Sequence, residues 1–110
     1  MFTPNTWSWI FLFIAGILEI CWAIGLKYTN GFTKLIPSIF TILTLTGSMY
    51  LLAKTSQFLP IGTAYGVWVG IGALGAATLG IFLFNESASP IRIFFLFLLL
   101  ISIIGLKLTA

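Results

Sequence analysis

The chain has 110 residues, of which 60% are hydrophobic and only 6% charged. A soluble domain of this size cannot hide that much apolar surface, so its natural solvent is lipid. The net charge is +3, but the five basic residues are scattered at segment ends, which reads as interfacial anchoring rather than a nucleic-acid patch.

There is no histidine, and Cys21 is the single cysteine. An intrachain disulfide and a zinc-type ligand set are therefore excluded, Cys21 reads as a small buried hydrophobe, and no cofactor is expected. An enzyme is not expected either, because the chain offers no histidine, no usable cysteine site and no Ser/Lys or carboxylate pair set for catalysis.

The first apolar run covers residues 7–26. It lacks the basic flank of a signal peptide and is long enough to span, so it is expected to stay as a mature helix. Trp7 and Trp9 at its start read as interfacial belt residues. Glu19 lies in its middle as its only acid. A carboxylate at bilayer depth is costly and usually marks an ion or proton pathway. Lys27 is eight residues on, roughly 12 Å along a helix at 1.5 Å per residue, too far to neutralise it. Glu19 therefore needs a proton, a bound cation, or polar partners from other helices. Gly16, Trp22 and Ala23 fall at i−3, i+3 and i+4 from it and share its face. Gly16 and Ala23 are expected to clear space beside the carboxylate. Trp22 brings an indole N–H, a donor without acceptor capacity, placed to bond Glu19, to hold its rotamer or to wall the site, or else to sit in the belt.

A polar break at 27–34 contains Asn30-Gly31, a turn signal. The second run, 35–53, carries Thr44, Thr46, Gly47, Ser48 and Tyr50 in an apolar field. Most membrane Ser and Thr bond their own i−4 carbonyl.

The third run, 61–84, follows Pro60. Gly62, Gly66 and Gly70 make a four-residue ladder that lets another helix come close. Tyr65 and Trp68, at i and i+3, form one aromatic surface. The Gly70-x-Gly72 pair is a plausible bend. The break at 85–90 holds Glu86, the only other acid, and ends in Ser89-Pro90, suited to an N-cap and a first helical position.

The fourth run, 91–108, is nearly all aliphatic and aromatic after Arg92. Its small residues, Ser102 and Gly105, mark a candidate dimer seam. The whole reads as an all-α membrane protein: one domain, residues 1–110, of four transmembrane helices with short loops.

Orientation follows Lys and Arg in the loops. Lys54, Lys107 and the terminal amine fall on one side; Lys27, Lys34 and Arg92 fall on the other. With three against three, either another signal sets topology or the chain inserts both ways, which would permit an antiparallel homodimer.

Several strings together resemble the small multidrug resistance family, and within it the guanidinium-exporting subtype, over essentially the whole chain. They are Ala15-Gly16-x-x-Glu19-x-x-Trp22-Ala23, Lys27-Tyr28-Thr29-x-Gly31-Phe32-Thr33, Pro37-Ser38, Pro60-x-Gly62-Thr63-Ala64-Tyr65, Trp68, Gly70-x-Gly72-Ala73 and Gly105-Leu106-Lys107. Trp22 and Ser48 are the marks of the subtype. The resemblance implies an antiparallel, dual-topology homodimer in the bacterial inner membrane. It implies proton-coupled cation export by alternating access, with one Glu19 from each subunit and Ser48, Trp22, Tyr65 and Trp68 as the shell. Gly66, Val69 and Ser102 depart from a more usual Ala, small hydroxyl residue and Gly.

The expected partners are therefore protons, guanidinium and small guanidinyl cations (guanylurea included), the lipid bilayer and a second copy of the chain, with no nucleic acid. A guanidinium ion is planar, always charged, weakly hydrated, and matched to a carboxylate by its N–H fork. One rival is export of quaternary ammonium or aromatic drugs, against which the bulk of Trp22 argues. Another is an accessory subunit of a heterodimer, against which the balanced loop charge argues.

Overall fold

The structure, a computed structural model, describes residues 4–109. Among these residues, α1 spans Pro4–Tyr28, α2 Leu35–Thr55, α3 Ile61–Leu83 and α4 Pro90–Thr109. All four are long and apolar enough to cross a membrane. In lipid the backbone must satisfy its own hydrogen bonds, so four continuous helices are the form such runs take.

The ends differ from the sequence pattern for local reasons. Pro4 opens α1 ahead of Trp7, because proline fits a first turn whose N–H groups have no helical partner. Two residues extend α2 because the buried Thr55 hydroxyl turns back onto the Leu52 carbonyl at 2.9 Å. One residue is lost from α3: Asn85 takes a left-handed φ of 55°, while the N–H groups of Phe84 and Glu86 both donate to Gly80 O. At α4, Ser89 Oγ accepts from the Arg92 N–H at 3.4 Å, as an N-cap should.

The α1–α2 turn winds around Thr29. Its hydroxyl donates to Leu26 O at 2.7 Å and accepts from Phe32 N–H at 3.1 Å, and its carbonyl accepts from Thr33 and Lys34. Asn30, Gly31 and Phe32 all hold positive φ, of 49°, 73° and 65°. Only glycine does so without strain.

The helices are arranged in the order α2–α1–α3–α4, with α1 packed on both α2 and α3, and α4 packed on α3. Small residues set the close approaches. Gly16 of α1 receives Ile71 of α3, and Gly75 of α3 receives Ile20 of α1. Gly66 and Gly70 receive Leu106 and Ile103 of α4. Each missing side chain is a socket for a neighbour, which is how membrane helices associate when lipid is as apolar as leucine.

The buried core gathers Leu12, Ala15, Leu52, Ala64, Val67 and Trp68 from α1, α2 and α3. No residue of α4 is buried, and Phe94, Phe95, Phe97 and Ile101 all face outward.

Candidate functional site

On α1, positions 8, 12, 15, 19 and 22 step by four and three and so form one stripe. Ser8, Leu12 and Ala15 are essentially sealed at its lower end, which leaves Glu19 and Trp22 as the polar groups halfway up. Since α1 and α3 run parallel, Gly72 lies beside Glu19. A Cβ on Gly72 would collide with the Glu19 carboxylate, meeting Oε2 and Cδ and lying 2.7 Å from Cγ. The acid thus rests in a notch made by a missing side chain on the next helix. Its other oxygen, Oε1, is buried and has no hydrogen-bond partner among the described residues.

The Trp22 indole N–H is also buried without a partner there. The pairing of Trp22 with Glu19 is therefore absent among the described residues. Two orphan atoms of opposite character result: Oε1 requires a donor, and the indole requires an acceptor. Buried polar atoms left in this way cost free energy, and groups that remain so commonly have a ligand or a function.

One turn below, a second cluster ties three helices together. Ser48 of α2 donates to the Ala15 carbonyl of α1 at 2.7 Å. Its oxygen accepts from the Trp68 indole of α3 at 2.8 Å. Both side chains are buried. Tyr65 lies against Trp68, ring centroids 5.5 Å apart and tilted 45°, and is over half exposed. Ala15 and Trp68 precede Glu19 and Gly72 by four residues each, so this cluster lies about 6 Å along the helices from the carboxylate. The sequence-predicted residues thus fall into two layers: Glu19 and Trp22 above, and Ser48, Trp68 and Tyr65 below.

Charges elsewhere are confined to the ends. Arg92 pairs with Glu86 at 3.3 Å, both about 39% exposed, with the Glu86 carboxylate lying over Gly80. Lys27, Lys54 and Lys107 each lie over an aromatic ring, of Phe84, Tyr50 and Trp9, at 5.2, 5.6 and 5.2 Å. Among the described residues no helix-end cation pairs with the buried acid.

A family model described as Small Multidrug Resistance protein matches residues 7–99. The chain belongs to the small multidrug resistance family. Similar relatives include a protein named guanidinium exporter from Salmonella typhimurium, 58% identical over 103 residues, 94% of this chain and 98% of the relative. Proteins of the same name from Escherichia coli K12 and Citrobacter freundii are 57% and 59% identical over 102 residues, 93% of this chain and 97% of each relative. These relatives are named as transporters, not as enzymes. As in other small multidrug resistance proteins, the chain is a multi-pass membrane protein.

Within this small multidrug resistance chain, several residues serve otherwise than the sequence pattern suggests. Gly16 does not clear space for Glu19, because its notch is filled by Ile71. Gly72 makes that room instead. The signal was the glycine itself, at a helix position where a bend was the more obvious reading. Helix α3 continues unbroken through Gly70 and Gly72, and the Gly70 notch is filled by Ile103. Thr44 and Thr46 bond their i−4 carbonyls. Thr41 does not; it is buried with an unpaired hydroxyl set against Gly25. On α4, Ser102 is exposed, and Gly105 has open space where a side chain would be.

Proposed function

We propose that this chain exports guanidinium and small guanidinyl cations in exchange for protons, by alternating access, across the bacterial inner membrane. The observation that carries this reading is the Glu19 carboxylate, held in the Gly72 notch with a buried oxygen that lacks a donor. A proton satisfies that oxygen with one bond. A guanidinium satisfies it with a charge-assisted fork and presents its face to aromatic rings, each contact contributing about 0.5–2 kcal/mol. Trp22 walls the site at the level of Glu19, and Trp68 and Tyr65 supply rings one turn below. Ser48 fixes Trp68 in place.

The working unit is an antiparallel homodimer of dual topology, with a Glu19 from each subunit. Support comes from the balanced loop charges and from α4, which has no fully buried residue and leaves Ser102 exposed and Gly105 with open space beside it. In the resting helix Gly70 and Gly72 receive Ile103 and Glu19, and as α3 reorients they are the place where it would flex. Because proton and cation take the same oxygen, each cation that docks releases protons, and cation affinity rises as pH rises. The bulk of Trp22 disfavours quaternary ammonium drugs, which cannot donate N–H bonds.

The test is purified protein reconstituted in vesicles with a proton gradient. Guanidinium should be transported, tetraphenylphosphonium should not displace it, and Glu19→Gln should fold yet lose both cation uptake and proton release. Full exchange by the Glu19→Gln protein would remove Glu19 from the mechanism.

A further inference from the structure

Two apolar furrows run along the outside of the bundle at the end where α1 begins and α4 stops. The first, about 210 Å³, lies between Trp9 and Phe13 of α1 and Ile103, Ile104 and Leu108 of α4, with Ile71 as its floor. The second follows the other flank of α1 past Ile10 and Ile14, with Thr6 at its polar end. Trp9, Phe13 and Lys107 border both. The first has the volume of several water molecules at ~30 Å³ each, yet offers water almost nothing to bond.

The Lys107 ammonium stands at the head of both furrows, 5.2 Å from the centre of the Trp9 ring. The ring covers one side of it, and the three N–H donors have no carboxylate partner among the described residues. Glu86 is taken by Arg92, and Glu19 is sunk against Gly72. A single unpaired cation thus heads two greasy channels separated by one tryptophan.

We propose that this is a binding site for an anionic diacyl phospholipid, whose phosphate takes Lys107 while its two acyl chains straddle Trp9. Charge selects the lipid. Neither furrow is lined by an acidic residue, so a zwitterionic headgroup gains nothing for its cationic end, while a net negative one keeps its full attraction to Lys107. Ser102 and Gly105 turn to a different side of α4 from Ile104 and Lys107, so a second copy seated on that seam leaves the furrows open.

Native mass spectrometry of the purified full chain, given equal phosphatidylglycerol and phosphatidylcholine of matched acyl chains, tests this. Phosphatidylglycerol should be retained about five-fold over phosphatidylcholine, the factor one basic residue at an anionic surface supplies. Lys107→Gln should bring the two lipids to parity, and Lys107→Arg should restore the preference. Ile104→Trp, which fills the first furrow, should lower retention of both. Lys54→Gln removes another helix-end lysine and should change nothing. Parity in the unaltered protein would overturn the site, as would a preference that survives Lys107→Gln. Ile104→Trp splitting the dimer while leaving lipid retention intact would assign the furrow to a second copy instead.

Discussion

Adding one methyl at Gly72 tests whether that glycine holds the carboxylate or merely loosens a helix. The new Cβ of Gly72→Ala would overlap Oε2 and Cδ of Glu19 and lie 2.7 Å from Cγ. Something must shift, and the end of a flexible side chain shifts more readily than a helix. Overpacking of this kind costs about 1–3 kcal/mol. If the whole cost falls on the geometry that receives the cation, affinity drops about 5- to 150-fold at 1.4 kcal/mol per decade. Gly75→Ala is the matched control, since its Cβ would overlap Ile20 as severely, with no acid involved. Calorimetric titration with guanidinium in two buffers of different ionisation heat gives both affinity and protons released. Weakened binding with altered proton release in Gly72→Ala, and near-normal binding in Gly75→Ala, is expected. Normal binding with lost transport would make Gly72 a bend and nothing more. Equal losses in both variants would refute the notch.

Ser48→Ala strips the Trp68 indole of its buried acceptor and should cost about 1–3 kcal/mol in a melting or denaturant experiment. Adding Trp68→Phe removes the orphaned donor, so the double variant should lose less than the sum of the singles; strict additivity would mean the two side chains are not coupled. Glu86→Gln breaks an exposed pair and should change stability by no more than about 1 kcal/mol. That difference should vanish in 1 M salt, where screening reaches only about 3 Å; a larger or salt-insensitive effect would mean Glu86 acts through Gly80 rather than through Arg92.

The helices could be read from the sequence because hydropathy over twenty residues is a property of composition alone. Glu19 was equally plain, since an acid in that setting has few ordinary explanations. What the sequence could not supply was the phase of one helix against the next. Gly16, three residues from the acid, reads as its space and Gly72, on another helix, reads as a bend, yet Gly16 receives Ile71 and Gly72 receives Glu19. Only the parallel alignment of α1 with α3 separates them. The Ser48–Trp68 bond spans twenty residues and depends on α2 and α3 meeting across α1, so residue spacing alone does not indicate it. Thr41 breaks the i−4 habit of its neighbours because Gly25 opens a place for its hydroxyl, again a fact about the adjoining helix.

Helix α4 packs chiefly on α3, and its Lys107 is laid over Trp9 of α1. The contacts that α1 makes with the α3 end close at Phe84, whose ring lies 5.5 Å from that of Tyr28 and beneath Lys27, before the Glu86 turn. The Glu86 turn is therefore the place to divide the polypeptide: residues 90–109, supplied as a separate peptide, are expected to co-purify with the remainder by setting Ile103 and Leu106 back into the Gly70 and Gly66 sockets, and failure to do so would show that those sockets do not hold α4. A protein cut there would be a two-piece assembly, completed by delivering its fourth helix.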